Sequence, residues 1–146
     1  MQYWLFKSEP EAWSWEAQKA KGLKGEPWDG IRNYQANNNM KLMRIGDLGF
    51  FYHSVKERRI VGIVKVIKEH YPDHTDSSAR FGMVDVVAVC DVPSPVTLAD
   101  IKAHPELQDI ALVKQSRLSV VPVNDIQWNI LCAMGDVTSD MLSGKP

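Results

Sequence analysis

Hydrophobic and polar residues alternate with a period of two along much of the chain, the pattern of β-strands that bury at least one face. The strands predicted in this way cover residues 2–6, 48–53, 60–68, 81–92 and 117–123. Pro93 is expected to end the fourth strand, and Pro122 places the fifth at a sheet edge because proline has no N–H group to donate. Since most strands are consecutive, with helices before and after, the pattern predicts an α+β fold around a curled, mostly antiparallel sheet or barrel.

Two helix starts are indicated in the first half of the chain. Ser8 and Glu11, spaced as a capping box around Pro10, predict a helix that ends near Gly22. Asp29 is predicted to cap a second helix, because an aspartate oxygen can accept hydrogen bonds from the first backbone N–H groups.

Helix signals recur in the second half. A short helix is expected to begin at Thr97, and Asn124 with Gln127 forms a second capping box. The helix after this box is expected to bury Trp128 and to end at Gly135, because glycine commonly follows the last turn of a helix.

Composition indicates one ordinary globular domain. Of the 146 residues, 45% are hydrophobic and 24% are charged, so a single domain over residues 1–146 is predicted, with a loose tail after about residue 136. Cys90 and Cys132 lie in separate apolar segments, which favours buried free thiols and a cytoplasmic location. The N-terminus lacks a signal-peptide pattern, and no apolar run approaches the ~20 residues of a membrane span, so no membrane partner is expected.

The formal net charge of −1 limits the possible partners. It argues against a protein that binds long duplexes through phosphate neutralisation, because such proteins carry a strong basic excess. Local basic clusters occur, as at residues 56–59, and a solvated surface is the simplest interpretation of each. Any binding of nucleic acid is therefore expected to depend on a pocket and a local basic patch.

Common catalytic and metal-site patterns are poorly represented. No GxSxG motif occurs, and His53 and Ser54 are strand neighbours whose side chains point to opposite faces. The candidate metal ligands nearest each other in sequence are His70, Asp73, His74 and Asp76. Pro72 disfavours the helical spacing that such ligands need for zinc, and no glycine-rich phosphate loop is present. The sequence therefore predicts no catalytic residue, no metal and no cofactor.

Aromatic residues are the stronger lead, because the chain has five tryptophans. Trp128 is predicted to be core, whereas Trp13 and Trp15 straddle the first predicted helix, so at least one is expected to face outward. Trp28 follows a Gly-Pro loop just before the second predicted helix, where backbone donors gather. Two interpretations of Trp28 stay open: hydrophobic packing beneath the loop, or the lining of a binding site.

Five short motifs occur together: YWLFKSEP at residues 3–10, WDGIRNYQ at 28–35, GD at 46–47, FYHS at 51–54 and RLSV at 117–120. In this combination the chain resembles the EVE domain, a PUA-like family related to the YTH readers of methylated RNA, over nearly its whole length. The resemblance implies a PUA-like fold and a pocket that recognises a modified base.

The resemblance also implies a set of site residues. By comparison with the YTH pattern, Trp28 lines an aromatic cage, while Ser8 and Asn33 form hydrogen bonds with the edge of a base. The ligand-binding residues predicted in this way are Lys7, Ser8, Trp28, Arg32, Asn33, Tyr52, His53, Ser54, Arg117 and Ser119.

Within this set, residues 52–54 are expected to line the side of the pocket opposite Trp28, and Arg32 or Arg117 to contact a phosphate. The chain departs from the family at Asn37, because an arginine usually follows Tyr-Gln-Ala. A phosphate contact from that arginine is therefore not expected here.

The first functional hypothesis is a nucleic-acid-binding module that recognises a modified nucleobase, such as methylated or hydroxymethylated cytosine or a modified RNA base. Burying one methyl group contributes ~0.8 kcal/mol and stacking a base ~1–3 kcal/mol, whereas extracting a base from a duplex costs a few kcal/mol. The expected partner is therefore a modified base, in DNA or RNA, that is single-stranded or flipped.

Two alternatives stay open. One is a small enzyme acting on nucleotides or RNA, with His53 as acid and base and with Lys7 or Arg117 stabilising charge. The other is a protein-interaction domain whose aromatic surface contacts a partner.

Overall fold

A six-stranded sheet forms the centre of the structure, a computed structural model that describes residues 1–143. The strands are β1 (Tyr3–Ser8), β2 (Glu26–Pro27), β3 (Leu48–His53), β4 (Arg59–Pro72), β5 (Gly82–Thr97) and β6 (Val120–Val123). Their order in the sheet is β2-β5-β4-β3-β1-β6, and β1 with β3 is the parallel pair among otherwise antiparallel neighbours. Register shifts interrupt both ladders of β4, and such bulges increase twist. The predicted α+β class with a curled, mostly antiparallel sheet is confirmed.

Helices cover this sheet. The α-helices are α1 (Trp15–Ala20), α2 (Tyr34–Leu42), α3 (Leu98–Ala103), α4 (Ala111–Lys114), α5 (Asp125–Met134) and α6 (Ser139–Leu142), with short 3₁₀ turns at Gly22–Lys24 and Pro105–Leu107. Helix α2 lies against β6, β5 and β4, and α4 lies against β6, whereas α1, α3, α5 and α6 lie against β5. Within residues 1–143, no helix has both the length and the apolar character that crossing a membrane requires.

Aromatic side chains fill much of the core. The Trp128 ring stacks on Phe50 and on Tyr3, with centroids 4.2 Å apart in both pairs, which confirms its predicted place in the core. On another part of the sheet, Trp15 packs against Gly62 so closely that any added Cβ there would overlap its ring. This glycine, near the start of β4, therefore makes room for α1 to approach the sheet.

Both predicted helix starts in the first half are wrong. Ser8 still belongs to β1, so the first helix begins at Trp15, and Ser14 caps it by accepting the Ala17 N–H at 3.0 Å. The second helix begins at Tyr34 rather than after Asp29. Asn33 is its cap, because its Oδ1 accepts the Ala36 N–H at 2.9 Å.

Strand β5 extends further than predicted, through Pro93 and Pro95 to Thr97. The ladder with β4 shifts here: Ile60 pairs with Val96, whereas Gly62 pairs with Asp91. The two prolines lie in the stretch that this shift leaves outside regular pairing. A bulge can contain proline because no ladder hydrogen bond is required of it.

The end of the chain is partly as predicted. Asn124 and Gln127 form the expected capping box, and the helix ends at Gly135. The tail differs from the expected loose segment, because Thr138 caps α6 and the Val137 N–H donates to the Cys132 carbonyl at 2.9 Å. Residues 144–146 of that predicted tail lie outside the described residues.

Candidate functional site

A cavity of about 370 Å³ opens where the end of β1, the turn after it and the loop after β2 meet. Its volume lies at the small end of the range for ligand pockets. Polar and aromatic side chains line it: Lys7, Ser8, Trp13, Glu26, Trp28 and Asp29. We refer to it as the aromatic cavity.

A larger cavity of about 630 Å³ lies elsewhere, between the N-terminus, β6 and the start of α5. Neither a tryptophan nor any of the predicted site residues lines it. The aromatic cavity is the better candidate site, because it combines aromatic surface with convergent polar groups.

Trp28 is buried in the core and also lines the aromatic cavity. Its ring is only 6% exposed and packs edge-on against Phe6 and Phe51, with centroids 5.1 and 5.5 Å away. Its backbone N–H donates to the Val84 carbonyl at 2.7 Å. The same residue lines the aromatic cavity. Trp28 is therefore a core residue that contributes a rigid surface to the site.

Trp13 is a second aromatic residue of this cavity that the predicted site residues did not include. It lies in the turn before α1, half-buried, and its indole N–H donates to Oε1 of Gln18 at 2.9 Å. Gln18 is fully buried and donates in turn to the Val86 carbonyl at 3.2 Å. The orientation of the Trp13 ring is thus fixed from the core. The sequence signal that could have identified Trp13 is Ser14, because a serine cap at residue 14 places Trp13 just outside the helix.

Lys7 contributes a donor to the cavity, because its ammonium has three N–H groups, whereas the single O–H of Ser8 is already engaged and leaves its oxygen as an acceptor. The Lys7 ammonium donates to the Ser116 carbonyl at 2.9 Å, and partial burial lowers the pKa of Lys7. The Ser8 hydroxyl donates to the Trp13 carbonyl at 2.7 Å, which ties the end of β1 to the turn that carries Trp13. Ser119, which was also predicted to bind the ligand, does not line this cavity; its carbonyl accepts the Lys7 N–H at 2.8 Å.

Two carboxylates line the same cavity, and they too were absent from the predicted set. Glu26 lies 3.5 Å from the Lys21 ammonium, and Asp29 lies 3.6 Å from Nε2 of His74. Both pairs are partly exposed, so they hold the carboxylates only weakly. The cavity therefore presents acceptors as well as donors.

The loop that carries Asp29 is fixed by a buried carboxylate, Asp73. It accepts the Gly30 N–H at 2.8 Å and the Arg32 Nη1 at 3.2 Å, and the Thr75 N–H at 2.7 Å. Burial alone would raise the pKa of Asp73, but these hydrogen bonds, led by those from Thr75, hold it below its usual value. Arg32 was predicted to contact the ligand, but its guanidinium donates hydrogen bonds to Asp73 and Thr75.

Residues 52–54 do not line the aromatic cavity. Nε2 of His53 accepts the Trp15 N–H at 3.0 Å, so its Nδ1 carries the proton and donates to Glu57 at 3.0 Å. That hydrogen bond lowers the pKa of Glu57. His53 therefore anchors the start of α1, a place that gives no support to the enzyme alternative.

The neighbours of His53 are also engaged within the fold. Burial raises the pKa of Tyr52 to about 12, and Ser54 donates its backbone N–H to the Ser8 carbonyl at 3.0 Å.

Asn33 and Arg117 lie together at another cavity, of about 390 Å³. Its polar lining consists of Asn33, Gln35, Lys114, Gln115, Ser116 and Arg117. We call these six residues the polar groove. Of the predicted site residues, the structure thus brings Lys7, Ser8 and Trp28 together at one cavity and Asn33 with Arg117 at the other.

Asn37, where the family usually has arginine, is 2% exposed. Its Oδ1 accepts the Gly82 N–H at 3.0 Å and lies 2.9 Å from Nε2 of His70. Asn37 therefore joins α2 to the paired strands β4 and β5 instead of facing a ligand.

The four residues weighed as metal ligands are also engaged elsewhere or dispersed. Asp76 accepts hydrogen bonds from Ser78, Arg80 and Phe81 within its own loop. Among residues 1–143, no group of three or more histidine, cysteine or acidic side chains is placed to hold a metal ion.

The curled sheet with its flanking helices and aromatic-lined cavity defines a PUA-like domain. More specifically, the chain belongs to the EVE domain family, whose sequence model matches residues 2–134. This confirms the family resemblance seen in the sequence motifs.

Solved structures agree with this assignment. A protein from Agrobacterium tumefaciens is 51% identical, with a TM-score of 0.93 over 95% of this chain and 96% of its own. Human thymocyte nuclear protein 1, solved in complex with DNA containing 5-methylcytosine, is 32% identical, with a TM-score of 0.88 over 94% of this chain and 99% of the solved chain, and the match covers 73% of the full human protein. A YTH domain from Zygosaccharomyces rouxii, at 11% identity and a TM-score of 0.58 over 94% and 86% of the two chains, shares the fold.

Proposed function

We propose that this chain is a nucleic-acid-binding module whose aromatic cavity accepts one modified nucleobase. The observation that carries the proposal is the pair of tryptophans, Trp13 and Trp28, that line a cavity together with hydrogen-bond donors and acceptors. The complex of human thymocyte nuclear protein 1 with DNA containing 5-methylcytosine supports it, because that protein belongs to the same family.

Energetics favour an unpaired or already flipped base. Stacking on an aromatic side chain contributes ~1–3 kcal/mol per base, and an added methyl group ~0.8 kcal/mol. Extracting a base from an intact duplex costs a few kcal/mol, which cancels much of this gain. With a net charge of −1, the chain has little long-range attraction for a duplex to offset that cost.

The test is a tryptophan-fluorescence titration with 5-methylcytidine, 5-hydroxymethylcytidine, N6-methyladenosine and their unmodified counterparts. We expect saturable quenching, with about fourfold tighter binding of a methylated nucleoside than of its unmodified form, as the burial of one methyl group predicts. Absence of saturable binding by any of these nucleosides and by short single strands carrying the same modified bases would contradict the proposal.

The two carboxylates predict which bases are preferred. Carboxylates accept hydrogen bonds from the exocyclic amino group of cytosine but repel a carbonyl oxygen. Glu26 and Asp29 therefore favour a base that carries an amino group, such as a cytosine or adenine derivative, over uracil or thymine.

A matched ligand pair tests this effect, because 5-methylcytidine and 5-methyluridine share the methyl group and differ along one edge of the ring: the first has an amino group at position 4 and an unprotonated N3, the second a carbonyl at position 4 and an N3–H. We expect wild-type protein to prefer 5-methylcytidine by about tenfold, in line with ~1–3 kcal/mol for a well-placed base contact. The double variant Glu26→Gln/Asp29→Asn should lose most of that preference, measured by calorimetric titration. Equal affinity of the wild type for both nucleosides would show that the carboxylates do not contact the base.

A further inference from the structure

We infer that the polar groove binds the sugar–phosphate chain next to the base held in the aromatic cavity, so that the two cavities form one site for a single strand. This inference rests on the proposed function and adds to it the path of the strand.

Continuity of the two cavities is the first argument. Lys7 lines the aromatic cavity, and its ammonium donates to the carbonyl of Ser116 in the polar groove at 2.9 Å. On the other side, Ile31 lines the aromatic cavity and Asn33, two residues later, lines the groove. A strand that leaves the aromatic cavity across Lys7 therefore enters the groove directly.

Charge separates the roles of the two cavities. The aromatic cavity contains the carboxylates of Glu26 and Asp29, which repel a phosphate, and one cation, Lys7, whose ammonium lies on the side next to the groove. The groove contains two cations, Lys114 and Arg117, and no carboxylate among its lining residues. The chain as a whole has a net charge of −1, so attraction of a phosphate depends on such local clusters. A phosphate is therefore favoured in the polar groove, near the cations, and disfavoured in the aromatic cavity, near the carboxylates.

The cations of the groove are available to a ligand. The Lys114 ammonium lies 4.0 Å from Asp109, whose side chain is 95% exposed, and such surface pairs contribute little. Arg117 is exposed and forms no ion pair within the described part of the chain.

The amides of the groove hold its two sides together. Nε2 of Gln35, on α2, donates to Oε1 of Gln115, just after α4, at 2.9 Å. Asn33 uses its Oδ1 to cap α2, which leaves its amide nitrogen as a donor. Amide donors of this kind commonly contact phosphate and sugar oxygens and position a strand without specifying its sequence.

The experiment compares two probes, 5-methyl-2′-deoxycytidine and a short DNA single strand with one central 5-methylcytosine. The test variant is Lys114→Gln/Arg117→Gln. The control variant, Lys65→Gln/Lys102→Gln, removes the same charge from exposed positions outside both cavities. Affinity is measured by calorimetric titration at several salt concentrations.

We expect the groove variant to bind the nucleoside as tightly as the wild type does. Its affinity for the strand should depend less on salt concentration than that of the wild type. Two phosphate contacts contribute about 0.7 each to the logarithmic salt slope, so raising salt fourfold should weaken wild-type binding about sevenfold more than binding by the variant. The control variant should keep the wild-type slope.

If the groove variant bound the strand with wild-type affinity and salt slope, and also bound the nucleoside normally, the proposed role of the polar groove would be wrong. The proposed binding of a base in the aromatic cavity would be unaffected. Equal losses of strand binding in the groove and control variants would overturn it as well, because they would indicate non-specific charge attraction. Failure of wild-type protein to bind the nucleoside and the strand alike would instead overturn the proposed function, on which the groove depends.

Discussion

Replacing Trp13 with alanine is expected to weaken the binding of 5-methylcytidine by roughly 5- to 150-fold, the range that corresponds to ~1–3 kcal/mol of stacking on one aromatic ring. The fold should persist. Trp13 is half-buried in a turn, and its loss leaves one buried acceptor, Oε1 of Gln18, without a donor. That costs ~1–3 kcal/mol of unfolding free energy, which is less than the stability of a typical domain.

Trp13→Phe is the matched control for this prediction. It also removes the indole N–H and leaves Gln18 in the same state, but it keeps an aromatic ring at the cavity. Calorimetric titration of both variants therefore isolates the contribution of the ring, and circular dichroism checks that both are folded. If the alanine and phenylalanine variants bound 5-methylcytidine equally well, Trp13 would not stack on the base.

Much of the sheet could be predicted from the sequence because burial imposes a period of two on strands. Residues 48–53 and 60–68 were predicted where β3 and the first part of β4 lie. Pro122 indicated the edge position of β6, since β6 is the last strand of the sheet. These signals are local, so a single sequence contains them.

Helix starts were harder because the chain offers competing caps. Ser8 and Ser14 both precede the first helix, and local spacing favours Ser8. Long-range pairing decides otherwise: Ser8 pairs with His53 in the sheet, so the chain cannot yet turn into a helix there. Likewise, Asp29 precedes Asn33, but the buried carboxylate of Asp73 holds the Gly30 backbone in a loop, and the helix begins later.

The site shows the same division between local and long-range information. Lys7, Ser8 and Trp28 were predicted together and do share a cavity. The place of His53 next to Ser8 in the sheet follows from strand pairing, but the direction of its side chain does not. That direction depends on α1, whose Trp15 N–H donates to His53 because Gly62 lets the helix approach the sheet.

Truncation of Trp28 to alanine is expected to lower the free energy of unfolding by ~3–5 kcal/mol, as is usual for large aromatic residues in a core. The reason is its packing against Phe6 and Phe51, which would be left facing a void. Urea denaturation measures the effect, and Trp13→Ala provides the comparison at the same cavity. A loss below ~1 kcal/mol would contradict the assignment of Trp28 to the core.

The size of this effect determines how Trp28 can be used to study binding. A Trp28→Ala variant that fails to bind would not separate loss of a contact with the base from loss of the cavity itself. Trp28→Phe keeps an aromatic ring between Phe6 and the ligand, and we expect it to retain more stability than the alanine variant. Weaker binding by a fully folded Trp28→Phe protein would assign Trp28 a direct contact, whereas unchanged binding would confine its role to supporting the cavity from the core.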